Sequence, residues 1–330
     1  MNFQQICRNA LVTMFILAGI STVYAQTNTL VINRPAERRF DVVRGNNLYC
    51  AGYVQTGPVY SGHPGEVGGP AEIVGAYNEQ DGWQYSQNNF LVINGGANKG
   101  VKVGDLFSVI RPRGEAKSHW THKGHLGTYV QELGVVEVVE VRAETSWVRA
   151  KSSCDSMFLG DLVVPFERRE SAPYVQRPAL DLFSDPSGKA NGRVFLARDN
   201  QEVVTRDQIV YVDLGAEDSV KPGDYLTFYR PLGKGNLFVN DWHESVPARS
   251  YGFESLKYRG GKFSNQSPRK SGDDADGRIV TTANARKQRP AGLRKVVGEG
   301  MVVNVRERTA TVVITRTAQE IHTGDWVEIQ

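Results

Sequence analysis

The stretch GVKVGDLFSVIRP, residues 100–112, returns 119 residues later as SVKPGDYLTFYRP, residues 219–231. Both stretches place a Gly-Asp pair before an alternating apolar segment, and both end that segment with Arg-Pro. At this spacing, residues 73–112 align with residues 192–231 without a gap. A repeat of this length indicates that one structural unit occurs twice in the chain.

A second block repeats at a spacing of 164 residues, where residues 133–166 align with residues 297–330. The two spacings differ by 45 residues, so the second copy carries an insertion of that length between its blocks. Two blocks in the same order, each without a gap, indicate an internal duplication.

Both copies have the pattern of β-structure. Short β-branched segments bounded by Gly, Asp or Thr recur, for example at residues 136–141 and 311–315. Almost no segment carries a 3.6-residue period. Each copy has about six such segments, which suits a small closed or half-open barrel. We therefore predict an all-β protein with two tandem, duplicated six-stranded β-barrel modules and long loops.

The composition sets the expected boundaries. The modules are predicted at residues 72–166 and 191–330, and the second carries its insertion as a loop at residues 232–296. Residues 26–71, rich in Gly and Pro around LYCAGYV, are interpreted as an extended arm. Residues 167–190, with three prolines, are interpreted as the linker between the modules.

The first 25 residues have the features of a secretory signal peptide. Arg8 supplies the positive charge, and residues 10–21 form an apolar stretch too short to span a membrane. Ile20 stands where a lipoprotein signal requires Cys, so no lipid anchor is expected. We predict a periplasmic or secreted protein without a membrane span after signal cleavage.

Cys7 lies within the signal peptide, which leaves Cys50 and Cys154 in a compartment that permits disulfides. A bridge between them would close a loop of about 100 residues, for which the chain-entropy model gives about 4 to 5 kcal/mol. The alternative is two separate buried thiols, and sequence spacing alone does not decide between them.

Four Gly-Asp pairs stand at matched places, each followed by an alternating apolar strand. Gly permits a positive φ at a corner, and an Asp carboxylate accepts backbone N–H groups two residues on. Because the pairs are spread through both copies, we interpret them as turn-building residues and not as metal or acid–base groups. They are Gly104, Asp105, Gly160, Asp161, Gly223, Asp224, Gly324 and Asp325.

The order of a Gly-Asp strand, Arg-Pro, a variable loop, a Val-rich hairpin and a closing Gly-Asp strand resembles a known module. It is similar to the C-terminal β-barrel module of flagellar assembly protein T and to similar modules of exported bacterial envelope proteins. The carrying residues are GVKVGDLFSVIRP with FLGDLVV, and SVKPGDYLTFYRP with HTGDWVEI. This chain departs from that family in its two copies and its long insertion. The resemblance implies a periplasmic, non-enzymatic scaffold or adaptor and assigns no functional residue.

The loop of the first copy contains SHWTHKGH, with half of the six histidines. Three imidazoles can bind zinc or copper if a tight loop brings them together. The alternative is a solvated polar loop, since only Glu115 lies nearby as an acidic ligand. The candidate metal ligands are His119, His122 and His125.

The loop at residues 232–296 has 13 Lys and Arg against six Asp and Glu, or +7, while the whole chain carries +3. Basic and aromatic side chains together bind anionic polymers through charge and stacking. In an exported protein the polymer would be a cell-wall glycan or lipopolysaccharide and not nucleic acid; the alternative is a solvated insertion without a ligand. The candidate residues are Lys257, Arg259, Lys262, Arg269, Lys270, Arg286, Lys287, Arg289, Arg294 and Lys295.

The sequence has no nucleophile elbow, no phosphate-binding loop and no Cys with a plausible His partner. Paired carboxylates of the glycosidase type stay open at this level. We therefore expect neither an enzyme nor a cofactor. Two functions are carried forward: a scaffold that displays loops to envelope proteins, and a binder of an anionic envelope polymer.

Overall fold

The computed structural model describes residues 48–59, 70–171, 173, 176–232 and 288–330. These residues belong to one unit, Asp41–Gln330. They include fifteen β-strands and three short 3-10 helices, at Ala97–Lys99, Arg198–Asn200 and Ala216–Asp218. The prediction of an all-β protein is confirmed. No helix among the described residues is long and apolar enough to cross a membrane.

Seven strands form an antiparallel sheet, here called the first sheet. They are β1 (Tyr53–Gln55), β2 (Ala71–Ala76), β3 (Phe90–Ile93), β4 (Leu106–Glu115), β5 (Thr128–Val141), β6 (Ser146–Ser153) and β7 (Leu162–Pro165). Their order is β1-β5-β4-β7-β2-β3-β6, and β6 also pairs with β5. Ile73, Leu91, Leu133, Val136 and Val148 are buried together in the core of this sheet.

Six later strands form a closed barrel, here called the barrel. They are β8 (Asn191–Ala197), β10 (Ile209–Val212), β11 (Tyr225–Pro231), β12 (Arg294–Val305), β13 (Ala310–Thr317) and β15 (Trp326–Ile329). The order around the barrel is β10-β13-β12-β11-β15-β8. The short strands β9 (Val203–Val204) and β14 (Ile321–His322) pair separately.

The interior of the barrel follows from alternation along its strands. Leu226 and Phe228 on β11 and Val312 and Ile314 on β13 point inward and are fully buried. Gly300 on β12 lets these strands approach closely, because a Cβ there would lie 2.7 Å from Val312 Cγ1 and 2.9 Å from Phe228 Cε2. The apolar side chains thus close the barrel without an internal channel.

The strand bounds repeat at the spacings of the sequence repeat. At a spacing of 119 residues, β3 corresponds to β10, and the 3-10 helix Ala97–Lys99 to Ala216–Asp218. At a spacing of 164 residues, β6 corresponds to β13 and β7 to β15. Each of these elements starts and ends at the same aligned position in both copies.

The four Gly-Asp pairs form turns that differ in one respect from the expectation. All four glycines have a positive φ, between 87° and 92°. Each Asp carboxylate accepts the backbone N–H of the residue three positions before it, and not one two positions after it, at 2.7 to 2.8 Å. The reason is that Asp closes the turn and its side chain folds back over it. The donors are Lys102, Phe158, Lys221 and His322.

Candidate functional site

Residues 48–56, here called the bridging segment, lie between the first sheet and the barrel. Leu48, Ala51 and Val54 pack with Leu126 of the first sheet's β4–β5 loop against the outer surface of the barrel. The barrel contributes buried apolar side chains from four strands: Phe195, Ile209, Tyr211, Met301, Val303 and Val313. This buried contact, the junction, fixes the position of the first sheet on the barrel.

Hydroxyl groups of the barrel bind the backbone of the bridging segment. Tyr211 Oη donates to the Ala51 carbonyl at 2.7 Å, and Thr311 Oγ1 donates to the Gly52 carbonyl at 2.9 Å. Thr309 Oγ1 donates to the Val54 carbonyl at 2.7 Å. Next along the chain, β1 pairs with β5 through Tyr53 and Val130. The segment is therefore a strand of the first sheet and a ligand of the barrel.

Tyr211 is the most deeply buried polar group of the junction. Burial raises the pKa of its phenol well above the ordinary value, and the neighbouring Tyr129 adds to the effect. The two hydroxyl oxygens lie 3.3 Å apart. Tyr211 therefore stays protonated and acts as a hydrogen-bond donor.

A buried ion pair joins three parts of the chain near the junction. Arg169 binds Glu132 through two hydrogen bonds of 2.6 and 2.9 Å, and both side chains are at least nine-tenths buried. The same Glu132 carboxylate accepts the Gly52 N–H at 2.9 Å. Burial alone would lower the pKa of Arg169, but the hydrogen bond and charge of Glu132 reverse this and raise it. The predicted linker is thus anchored at Arg169.

Cys50 and Cys154 form a disulfide with their Cα atoms 6.0 Å apart. Cys50 belongs to the bridging segment, and Cys154 follows β6 in the first sheet. The position aligned with Cys154 in the second copy is Ala318. The bridge therefore holds the bridging segment to the first sheet, on the side opposite its contacts with the barrel.

The histidine-containing loop of the first copy docks on the barrel. Trp120 covers Gly324, where a Cβ would lie 2.8 Å from the indole ring. Thr121 Oγ1 donates to Asp213, and Lys123 Nζ pairs with Asp218, both at 2.5 Å. These contacts explain the polar residues of the loop as docking residues.

The three histidines of this loop are not brought together. The His119 ring packs on the Trp120 indole with centroids 4.1 Å apart, and His125 Nδ1 lies 2.8 Å from Glu115 Oε1. Hydrogen bonds from Lys117 and His125 lower the pKa of the Glu115 carboxyl. Among the described residues no three His, Cys, Asp or Glu side chains, with His122 included, form a group that could hold a metal ion.

A groove of about 460 Å³ lies on the barrel where the insertion leaves and re-enters it. A ladder of alternating groups forms part of its wall. The Arg193 guanidinium lies 3.5 Å from the centre of the Trp326 ring, which stacks on Tyr229, and Arg294 lies 4.7 Å from the centre of the Tyr229 ring. Arg294 is also paired with Glu328 at 2.6 Å, with both side chains about 95% buried. Arg294 therefore supports the barrel and is unavailable to a polymer.

The other predicted polymer-binding residues divide into two sets. Arg289 and Lys295 are exposed at the foot of the insertion, and Arg289 donates to the Leu232 carbonyl. Strand β12 begins at Arg294, so the loop between strands spans residues 232–293 and not 232–296. Seven residues lie outside the described part of the chain: Lys257, Arg259, Lys262, Arg269, Lys270, Arg286 and Lys287.

The Arg of each Arg-Pro has a role that was not predicted. Arg111 makes two hydrogen bonds of 2.7 Å to Asp161, the second Gly-Asp of its own copy. Arg230 binds Asp325 in the same way at 2.7 and 2.8 Å. The signal in the sequence was the recurrence of Arg at aligned positions next to recurring aspartates. These pairs lock the strand after the first turn to the turn before the last strand.

No protein-family model matches the chain, and comparison with curated proteins finds no similar sequence. The resemblance to the module of flagellar assembly protein T therefore stays a prediction. The charged groups of the junction are bound to one another, which is the chemistry of a structural contact. The function is inferred below from this geometry.

Proposed function

We propose that the protein is an exported, non-enzymatic scaffold or adaptor of the bacterial cell envelope. The observation that carries the proposal is the junction, where the bridging segment is bonded to β5 on one side and to Tyr211 and Thr311 on the other. Such a contact holds two units at a fixed distance and orientation. A scaffold needs this property because its partners must meet in a defined geometry.

We infer that the two units are tandem copies of one barrel. The pairing β5-β4-β7-β2-β3-β6, which returns to β5, has the same order as β12-β11-β15-β8-β10-β13 in the barrel. The isolated bridge between Tyr85 and Met157 corresponds to the pairing of Val204 with Ile321. Equivalent loops then emerge at equivalent places on both copies, where partners can bind.

The disulfide supports the proposed compartment. Structural disulfides persist in the periplasm and outside the cell, where thiols are not kept reduced. The Cys50–Cys154 bridge fits the prediction that residues 1–25 are a signal peptide, a segment outside the described residues. We accordingly place the protein in the periplasm or among secreted proteins.

Site-specific photo-crosslinking in cells tests the scaffold proposal. A photoreactive residue would replace exposed Trp83 in the first sheet or exposed Val203 in the barrel, one at a time. We expect both positions to capture components of one envelope assembly, because the two units are held together. Breaking the junction with the Cys50→Ser variant should reduce capture without removing the protein from the periplasm. Capture of no shared assembly at these and further surface positions would contradict the proposal.

The second candidate is a binder of a cell-wall glycan or lipopolysaccharide, favoured by the excess of basic residues in the insertion. Charge-driven binding weakens steeply as ionic strength rises. The test is pelleting of the purified protein with isolated sacculi or outer-membrane vesicles at low and high salt. A variant lacking residues 233–287 should lose binding, whereas replacing exposed Arg142 and Arg206 by Gln should not. Binding that is unaffected by the deletion would contradict this function.

A further inference from the structure

The junction covers one face of the barrel, and the aligned face of the first sheet is open. Ile209, Tyr211 and Val303 in the junction correspond to Phe90, Val92 and Val139 at the repeat spacings. Phe90 and Val139 are exposed by 43% and 39% of their surface. The open face is defined by Tyr77, Phe90, Val92, Val139 and Trp147.

Aromatic side chains dominate the open face. Tyr77, the counterpart of Leu196, is 75% exposed and meets Trp147 edge to face with centroids 6.4 Å apart. An Arg149–Glu137 ion pair of 3.2 Å borders them. Exposed aromatic residues beside Arg are typical of protein-binding surfaces. The face therefore has the composition of an interface and lacks a cover among the described residues.

The barrel has an open surface of the complementary kind. In the junction, Tyr129 and Leu126 at the β4–β5 end of the first sheet reach the barrel. The position aligned with Tyr129 is Leu293, which is 47% exposed at the β11–β12 end of the barrel. Leu232 hydrogen-bonds to Leu293 through its backbone and is also exposed, as are Leu182 and Phe183 of the preceding linker. The open end is defined by Leu182, Phe183, Leu232 and Leu293.

We propose that copies of this chain associate head to tail, with the open end of one copy bound to the open face of the next. Within one chain, the β4–β5 end of the first sheet already binds the corresponding face of the barrel. Each chain then has one unused surface of each kind among its described residues. A contact between unlike surfaces produces a ring if its rotation closes and a filament if it does not. This inference uses the duplication and goes beyond the scaffold function, since it needs no other protein.

Sedimentation velocity of the purified chain without its predicted signal peptide tests the proposal. Tyr77→Glu would block the open face and Leu293→Glu the open end. Val103→Glu is the matched control, because Val103 is exposed and belongs to neither surface. We expect the wild type and the control to form assemblies that grow with concentration, and each of the other variants to be a monomer. Circular dichroism confirms that all variants are folded.

Mixing the two variants distinguishes head-to-tail assembly from a symmetric dimer. In an equimolar mixture, the intact face of Leu293→Glu meets the intact end of Tyr77→Glu, so a species of dimer mass and nothing larger is expected. A wild type that is monomeric at every concentration would overturn the proposal. A Leu293→Glu variant that still forms dimers alone would also overturn it, since that result indicates face-to-face pairing. Both outcomes are independent of the crosslinking test of the scaffold function.

Discussion

The Tyr211 hydroxyl donates a hydrogen bond of 2.7 Å to the carbonyl oxygen of Ala51, a residue 160 positions earlier in the chain. Both residues are completely buried. Tyr211 belongs to the barrel, whereas Ala51 precedes the first strand of the first sheet. Because one bond joins the two units where water is excluded, the units are expected to unfold together.

Tyr211→Phe should lower the free energy of unfolding by about 1 to 3 kcal/mol, because the Ala51 carbonyl loses its donor inside the junction. Urea denaturation followed by circular dichroism measures the change. Tyr77→Phe is the control, since that tyrosine is exposed and its hydroxyl has water available. Equal stability of Tyr211→Phe and wild type would show that the junction does not depend on this bond.

The same residue predicts a dependence on alkaline pH. Burial raises the pKa of Tyr211 well above its ordinary value of 10.0 and also raises that of Tyr129. A phenol whose pKa rises on folding contributes stability that is complete below the unfolded pKa and is lost as pH increases toward the folded pKa. The melting temperature should therefore fall above about pH 10, less steeply in Tyr211→Phe. Parallel curves for the two proteins would contradict this role.

Cys50→Ser or Cys154→Ser should destabilise the protein by about 2 to 5 kcal/mol, because each removes a cross-link between residues 104 positions apart. Thermal unfolding with and without a reducing agent measures the effect. The wild type should lose stability on reduction, whereas the variants should not respond. A reductant effect that persists in the variants would mean that another group is involved.

Arg111→Met and Arg230→Met should each cost about 3 to 5 kcal/mol, because each leaves a buried Asp carboxylate without its cation. Asp161 and Asp325 are only 5% and 3% exposed. Arg142→Met is the control, since Arg142 and its partner Glu140 are mostly exposed and such a pair contributes at most about 1 kcal/mol. Chemical denaturation of the three variants gives the comparison, and similar losses in all three would contradict the proposed lock.

Gly52→Ala should be more destabilising than Gly100→Ala. Both glycines have positive φ, 66° and 75°, so both substitutions bring the backbone strain of about 1 to 2 kcal/mol. Only at Gly52 would the new Cβ meet neighbours, 2.8 Å from Tyr211 Oη and 3.0 Å from the Val130 carbonyl, while Gly100 faces open space. Thermal unfolding of the two variants separates strain from collision; equal shifts would mean that the junction adjusts freely.

Much of the strand framework could be predicted because the alternation and the repeat are local signals. Strands β3, β6, β10 and β13 lie inside the two aligned blocks, where β-branched residues alternate with polar ones. The insertion boundary was less accurate at its end. Arg294 and Lys295 look like the charged loop that precedes them, but they already pair with β11 as part of β12. Charge in a sequence does not show which strand neighbour will bury it.

The junction could not be predicted, since its partners are far apart in the chain. LYCAGYV was interpreted as part of an extended arm, and an extended segment is indeed what the barrel binds. Its partners Thr309 and Thr311, however, lie more than 250 residues later. The Arg111–Asp161 and Arg230–Asp325 pairs posed the same difficulty, because only the sheet topology brings them together.

The separation of 259 residues between Gly52 and Thr311 also constrains how the chain matures. The bridging segment is synthesised early, yet its binding surface is complete only when β13 has been made and has entered the barrel. During that interval its apolar side chains have no permanent partner, which favours slow folding and a need for protection by chaperones. The contact that fixes the two units is thus among the last to form, and a truncated chain that ends before β13 would be recognisable to proteases by an uncovered segment near its beginning.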